Sequence, residues 1–229
     1  MALSLLAVIN GYFLGVLPLA VASVLAAIVI AIVVEIVIEY IRKKKFIFSK
    51  SPVISGLIIG SIVQIGSFEQ IALAAVLAIL SKKLITFKKM PVFNPAASGL
   101  FVTFFLSGGT GEVWWANGTG LLLPTIAIVI AGMVVSWKIK KLYITFTSLV
   151  VFSASVVLTQ GPAALVFFPF FSAFFMLTEP KTSPNTRNHQ IVFGALVFPL
   201  GIVFTMLGIL SPFILGLLVA NLVGKLFLK

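Results

Sequence analysis

Basic residues are grouped along this 229-residue chain, and the stretches between the groups are long and apolar. The sixteen Lys and Arg residues fall into five clusters: Arg42 to Lys50, Lys82 to Lys89, Lys138 to Lys141, Lys181 to Arg187, and Lys225 with Lys229. One helical crossing of a bilayer takes roughly 20 apolar residues, and each interval is about long enough for two crossings. Each interval therefore predicts a pair of membrane helices joined by a turn.

A helix-breaking sequence lies near the middle of every interval. The breakers are Pro18, Gly66 with Ser67, the stretch Gly108 to Gly120, Gly161 with Pro162, and the stretch Gly208 to Pro212. The pattern predicts ten membrane segments, near residues 3–18, 19–41, 52–65, 68–86, 94–107, 120–137, 141–159, 162–178, 189–207 and 211–228.

The positions of the basic clusters relative to the numbered segments predict how the chain is oriented in the membrane. With ten segments, every basic cluster follows an even-numbered one, so the positive-inside rule places both termini in the cytoplasm. A nine-segment chain, with residues 3–41 as one helix, would put the later clusters on the opposite face from the first. The ten-segment topology is therefore favoured.

The composition excludes several classes of protein. Hydrophobic residues make up 61% of the chain and charged residues 9%, and the mean hydropathy is +1.25. Soluble domains, disordered chains and nucleic-acid binders carry far more polar surface. The absence of cysteine excludes disulfides, thiolate metal sites and cysteine nucleophiles. We expect one multi-pass domain, residues 1–229, embedded in the lipid of the plasma (inner) membrane, with the net charge of +11 marking the cytoplasmic side.

The two halves of the chain show signs of an internal repeat. The third and eighth segments are short or interrupted, and such helices are tolerated only where protein or a cavity covers their ends. The start of the fifth segment, Asn94 to Gly99, aligns with the start of the tenth, Ser211 to Gly216. Because five is an odd number, two five-segment halves have opposite orientations. The sequence predicts an all-α, 5+5 inverted repeat, with halves of about 1–107 and 120–229, an external loop 108–119, and a binding site between the halves.

Three polar stretches stand out within the apolar sequence. Asn94 before Pro95 is a helix start, whose positive end can bind an anionic or electron-rich group. The stretch Thr178 to Thr186 has a carboxylate, hydroxyls and two prolines, and fits a turn and a ligand site equally well. Glu35 and Glu39 precede a basic cluster, with Lys43 in i,i+4 reach of Glu39. This third stretch favours a helix end that snorkels to water over an ion site.

Three motifs resemble the RnfD/NqrB family of membrane flavoprotein subunits. They are Ser-Gly-Leu-Ile-Ile-Gly from Ser55, Phe-Asn-Pro-Ala-Ala from Phe93, and Phe-Phe-Met-Leu-Thr-Glu-Pro-Lys-Thr-Ser-Pro from Phe174 with the later Gln-Ile-Val-Phe-Gly. The similarity covers about residues 50–228, and the third motif is closer to RnfD. The resemblance implies a ten-helix inverted repeat similar to urea channels, with riboflavin or FMN between the halves.

The same resemblance implies the function and the site. We expect electron relay across the membrane, coupled to Na⁺ or H⁺ through Glu179, by one component of an oxidoreductase complex and not by a self-contained enzyme. Soluble or membrane-anchored flavoprotein or iron–sulfur subunits would complete the chain of electron carriers. The expected flavin-binding residues are Ser55, Gly56, Asn94, Pro95, Gly99, Thr178, Glu179, Thr182 and Ser183, with Lys83 and Arg187 near a flavin phosphate or an acidic partner. The resemblance assigns neither a catalytic residue nor a metal ligand.

The chain departs from the family between its fifth and sixth segments. Family members carry there a threonine linked to FMN by a phosphoester, in a motif resembling Asp-x-x-Ser-Gly-Ala-Thr. The nearest match, Ser107 to Thr110, lacks the acid and the alanine, and Asn117 to Gly120 is a poorer match. A glycine-rich turn explains the same residues, so Thr110 has two interpretations.

Two other functions remain compatible with the sequence. The same fold without a redox step would form a channel or transporter for a small solute or for a flavin. A scaffold within a larger complex would bind no ligand.

Overall fold

The computed structural model describes residues 2–44, 49–117 and 121–227. Nine α-helices account for most of this part of the chain: α1 (Ala2–Phe13), α2 (Leu17–Lys43), α3 (Ser51–Ile62), α4 (Phe68–Leu84), α5 (Pro95–Leu106), α6 (Leu122–Lys138), α7 (Leu142–Gln160), α8 (Arg187–Met206) and α9 (Pro212–Phe227). One small antiparallel hairpin, β1 (Thr86–Phe87) with β2 (Met90–Pro91), follows α4. The predicted all-α class is confirmed.

Three helices are long and apolar enough to cross a membrane. These are α2, α7 and α8, judged by length and composition among the described residues. Helices α1, α3, α5, α6 and α9 are apolar but shorter. Helices able to cross a membrane, as the composition predicts, are therefore found.

Helix α2 has the surface expected of a helix in contact with lipid. It has 27 residues, which corresponds to about 40 Å of helix. Its inner face is built from small residues such as Ala20, Ala27 and Ala31, which are fully buried. Val29 and Val33, one turn apart on the outer face, are more than half exposed. Because an exposed valine stripe has no favourable contact with water, lipid is the solvent that suits this face.

The segment predicted at 162–178 is interrupted, as expected, and only Phe170 and Phe171 of its described backbone are α-helical. A 3₁₀-helix runs over Pro162–Phe167 and a π-helix over Ser172–Met176. Pro169 lies between them and lacks the N–H that a continuous helix would need. Gly161, with a φ of +84°, separates this segment from α7. The third segment is also short, since α3 ends at Ile62.

The helices pack in two similar sets. In the first, α4 contacts α2 and α5, and in the second, α8 contacts α7 and α9. Contacts of α1 with α6 and of α5 with α9 join the two sets. The loop following Leu106 also reaches the end of α3, where Val63 pairs with Glu112.

Close helix contacts explain two glycines that the family resemblance assigns to a flavin site. A Cβ on Gly99 would lie 2.2 Å from the carbonyl oxygen of Ala74, and one on Gly56 would lie 2.6 Å from Cα of Ile28. Both distances are far below van der Waals contact, so these positions admit only hydrogen. Small residues that let helix backbones approach are a common device in membrane proteins.

We predict that Gly99→Ala destabilises the protein, because the added methyl group forces α5 away from α4. The expected loss in the free energy of unfolding is about 1–3 kcal/mol, as for other overpacked cores. Gly224→Ala is the matched control, since its Cβ would meet Phe193 at an ordinary 3.5 Å. Thermal unfolding in detergent measures both changes. Equal unfolding temperatures for the two variants would contradict this packing argument.

Candidate functional site

Asn94 connects three parts of the chain that are far apart in sequence. Its Oδ1 accepts a hydrogen bond from Ala97 N at 3.1 Å, which confirms the predicted N-cap of α5. Its Nδ2 donates to the carbonyl oxygen of Met176 at 3.0 Å, in the π-helix. Its backbone N–H donates to Oδ1 of Asn221 in α9 at 2.8 Å. Asn94 and Asn221 are each 1% exposed, so this polar group lies inside the protein.

Only one of the two polar atoms of the Asn221 side-chain amide has a hydrogen-bond partner among the described residues. Its Oδ1 accepts from Asn94, whereas its Nδ2 is buried and has no hydrogen-bond partner among the described residues. A buried donor without a partner costs roughly 1–3 kcal/mol. Such a group is a candidate ligand contact, because a bound acceptor would remove this cost.

The stretch that begins at Thr178 continues directly from the π-helix. Thr178 Oγ1 donates to the carbonyl oxygen of Phe174 at 2.5 Å, and Ser183 Oγ donates to that of Glu179 at 2.8 Å. Thr182 is 3% exposed, and its Oγ1 has no partner in the described part of the chain. Of the predicted site residues, the structure therefore brings Asn94, Pro95 and the start of this stretch together through Met176.

Two buried lysines hold the same stretch in place. Nζ of Lys141 donates to the carbonyl oxygen of Pro184 at 2.6 Å and to Oδ1 of Asn185 at 2.8 Å. Nζ of Lys225 donates to the carbonyl oxygen of Lys181 at 2.7 Å. These lysines are 2% and 3% exposed. The turn interpretation thus has a structural basis, and it leaves room for the ligand interpretation.

The carboxyl of Glu179 lies in a basic environment. Burial raises its pKa above the ordinary value of 4.5, although the charges of Lys181, Lys82 and Lys141 oppose the shift. A carboxyl of this kind keeps its proton to a higher pH than a surface glutamate does. Glu179 can therefore exchange a proton in a range where surface carboxylates are already ionised.

The two glutamates of α2 form a buried ion-pair network with α4. Lys82 Nζ lies 2.8 Å from Glu35, and Lys83 Nζ lies 3.1 Å from Glu35 and also contacts Glu39. The predicted pair of Lys43 with Glu39 is confirmed at 2.8 Å. The expectation of a helix end that snorkels to water is wrong. Both carboxylates are at most 5% exposed, because α4 supplies cations that let them remain inside.

Two predicted site residues contact side chains and backbone outside the Asn94 group. Thr110 is exposed in the turn after α5, where its Oγ1 donates to the carbonyl oxygen of Ser107 at 2.9 Å and its carbonyl oxygen accepts from Gln70. Gln70 lies about 18 Å along helix α4 from Lys82, so Thr110 contacts the opposite end of α4 from the ion-pair network. The guanidinium of Arg187 lies 4.9 Å from the ring centroid of Tyr143.

Helices carry the other predicted residues. Ser55 and Gly56 lie in α3, which packs against both α2 and α5, whereas Gly99 lies against α4. Lys83 belongs to the ion-pair network with Glu35 and Glu39. The weaker flavin-attachment candidate, Asn117 to Gly120, falls mostly outside the described residues.

Sequence reasoning missed Asn221 and Lys141, and it considered Asn117 only as part of a flavin-attachment motif. Asn117 accepts a hydrogen bond from Phe171 N at 3.0 Å and donates to the carbonyl oxygen of Phe168 at 2.9 Å, and so shapes the interrupted segment. The available signal for Asn221 was an amide in an otherwise apolar helix, where polar residues face the protein interior. No sequence signal separates Lys141 from its exposed neighbour Lys140.

No protein-family model and no curated protein matches this chain.

We predict that Glu35→Gln lowers the free energy of unfolding by about 3–5 kcal/mol, since it leaves the Lys82 ammonium buried without its carboxylate. The double variant Glu35→Leu with Lys82→Met should recover most of this loss. Glu69→Gln is the control, because it removes the same charge from an exposed position at the start of α4 and should change stability by about 0.5 kcal/mol or less. Denaturant unfolding in mixed micelles measures all three. A Glu35→Gln effect no larger than the control would show that the network does not stabilise the fold.

Proposed function

We propose that this chain is a membrane flavoprotein subunit, resembling RnfD, which binds riboflavin or FMN and passes electrons across the membrane as part of a larger redox complex. The observation that carries the proposal is the buried, unpartnered Nδ2 of Asn221 beside the Asn94 amide. Both asparagines lie in apolar helices or at their starts, where a polar ligand contact is the main alternative to a stability cost.

The chemistry of these residues fits a flavin. An isoalloxazine is a flat, mostly apolar ring system with one edge of carbonyl and N–H groups. Asn221 Nδ2 would donate to a carbonyl of that edge, and Thr182 Oγ1 is a second buried polar atom without a described partner. Phe171 and Phe174, in and beside the π-helix, are buried and would provide apolar surface for the ring.

Each part of the site would have a separate task. When bound, a flavin accepts electrons from one partner and gives them to another. The Asn94–Asn221 pair would orient its polar edge, and the positive N-terminal end of α5 would stabilise negative charge there. Buried aromatic residues would exclude water. The raised pKa of Glu179 supports proton exchange at the mouth of the site, and hence a role in coupling to H⁺.

We also propose that ten segments cross the membrane as two inverted five-segment halves, with both termini cytoplasmic. Supporting this repeat, two aligned glycines have equivalent surroundings. A Cβ on Gly99 would meet Ala74 O and Ala78 N of the preceding helix, and a Cβ on Gly216 would meet Val197 O and Gly201 N. In both cases the glycine lies against residues i and i+4 of its neighbour. The contacts of α1 with α6 and of α5 with α9 would then join equivalent segments.

A second, covalently bound flavin at Thr110 remains part of the proposal. The hydroxyl is exposed, as attachment of FMN requires, although its bond to Ser107 also suits a simple turn.

We predict that the protein, purified in mild detergent, shows an oxidised-flavin spectrum or gains one on addition of riboflavin or FMN. Asn221→Leu should weaken flavin binding about tenfold, the value of one hydrogen bond to a buried acceptor. Asn10→Leu is the matched control, because Asn10 is also a fully buried amide with one unpartnered atom, Oδ1, but lies in α1, which packs against α2 and α6. Absorbance titration gives both affinities.

The outcomes separate the candidate functions. A colourless protein that takes up neither flavin contradicts the proposal, and solute flux through that protein in liposomes would identify a channel or transporter. If flavin remains on the chain after denaturation, Thr110→Ala should abolish the covalent fraction. Retention of colour by that variant would place the attachment elsewhere.

We predict opposite accessibility at the two ends of α4. The sequence has no cysteine, so a single introduced cysteine is the sole thiol. Glu69→Cys should react with a membrane-impermeant maleimide on intact cells, whereas Lys88→Cys should react only after the membrane is opened. Both positions are exposed. Labelling of both in intact cells would show that α4 does not cross the membrane, and reversed labelling would invert the topology.

A further inference from the structure

A basic cavity lies at the turn between α6 and α7. Its volume is about 400 Å³, and it is lined by Trp137, Lys138, Lys140, Leu142 and Tyr143. Both lysines are exposed, and so are the two aromatic side chains, Trp137 at 67% and Tyr143 at 44%. None of its lining residues belongs to the Asn94–Asn221 group.

The cations of the cavity have no acidic counterpart. In the described part of the chain, which contains all five glutamates of the sequence, the ion pairs join Glu35 and Glu39 to Lys43, Lys82 and Lys83. Arg187 adds a third positive charge above the Tyr143 ring. The next residue after Lys140, Lys141, is turned inward, where it donates to the backbone carbonyls of Ser183 and Pro184. Lys138 and Lys140 are therefore available to an anion.

Helix α7 adds to this preference for negative charge. It begins at Leu142, next to the cavity, and runs for 19 residues. The first backbone N–H groups of a helix carry partial positive charge and commonly bind phosphate. A phosphate placed between the two lysines would thus meet favourable charge from the backbone as well.

The surface below the cavity is apolar. Ile130 and Val134 on α6 are 61% and 46% exposed, and Phe146 and Val150 on α7 are 49% and 66% exposed. Helix α7 is also one of the three helices able to span a membrane. Tryptophan and tyrosine concentrate at the level where acyl chains give way to headgroups. The cavity therefore lies at the boundary of the lipid, directly above a surface that suits acyl chains.

We propose that this cavity binds the headgroup of an anionic phospholipid, with the phosphate between Lys138 and Lys140. Trp137 and Tyr143 pack against the glycerol region, and the exposed apolar residues of α6 and α7 contact the acyl chains. A free phosphate shares the headgroup chemistry but gains nothing from the apolar surface. Basic pockets at the ends of membrane helices bind anionic headgroups by this combination of contacts.

Lipid binding at this turn would also support the interior of the protein. Lys141 directly follows Lys140 and fixes Pro184 and Asn185. A lipid that stabilises this turn would thus also stabilise Lys141, whose hydrogen bonds hold the stretch that follows the π-helix.

The test is a lipid titration of the delipidated protein in detergent, read by native mass spectrometry. Phosphatidylglycerol is the probe, and phosphatidylcholine with the same acyl chains is the neutral lipid. We expect the first phosphatidylglycerol to bind at least about tenfold more tightly than phosphatidylcholine, and K138Q/K140Q to remove about tenfold of that affinity.

The matched control is K88Q/K89Q. It removes two exposed lysines from the β1–β2 turn, and Lys88 has the same left-handed backbone as Lys140, with φ values of 49° and 59°. This variant should change the affinity by no more than about twofold. If K138Q/K140Q does not purify as a monodisperse protein, the single variants Lys138→Gln and Lys140→Gln are titrated instead.

Several results would overturn the proposal. Equal losses in the two double variants would mean that lipid follows net charge and not this cavity. Unchanged affinity in K138Q/K140Q, or in both single variants, would exclude the lysines as headgroup contacts. Displacement of phosphatidylglycerol by inorganic phosphate at the same concentration would make the cavity a free-phosphate site.

Discussion

The fold depends on satisfying polar groups inside a protein whose outer surface is apolar. A backbone carbonyl without a partner in such an environment costs several kcal/mol. The π-helix at 172–176 and the turn that follows it depart from the regular α-helical pattern. Side chains from other parts of the chain donate hydrogen bonds to their backbone carbonyl oxygens. Asn94 donates to Met176 O, while Lys141 and Lys225 donate to carbonyl oxygens of the next turn. The conformation of the interrupted segment therefore depends on side chains of neighbouring elements as much as on its own sequence.

Much of the fold can be predicted from local sequence signals. Proline, glycine and charge clusters place the helix ends, and the described helices begin and end within a few residues of the predicted segments. Asn94 before Pro95 is sufficient to predict the N-cap of α5, because capping is local chemistry. The nature of the interruption at 162–178 is not local, since Asn117 and Asn94 supply its hydrogen bonds from 51 and 82 residues away.

The same distinction applies to the charges and to the site. Glu39 with Lys43 is an i,i+4 pair and is visible in the sequence, whereas Glu35 with Lys82 spans 47 residues and is not. Glycines are ambiguous for a related reason. From the sequence, Gly56 and Gly99 are candidates for contact with a ligand. In the structure they allow close packing against the backbones of α2 and α4. These two roles are compatible, since close helix packing can also shape the wall of a ligand site.

The positive charge of the chain is divided among several physical roles. Lys82 and Lys83 balance buried carboxylates, and Lys141 and Lys225 satisfy backbone carbonyls. What remains for external partners is concentrated at exposed turns such as Lys138 with Lys140. The two candidate ligand sites consequently use different chemistry. Neutral amides inside the protein suit a flat, weakly charged ring system, because no ion needs to be desolvated there. Exposed ammonium groups at the lipid boundary suit a phosphate that keeps part of its hydration.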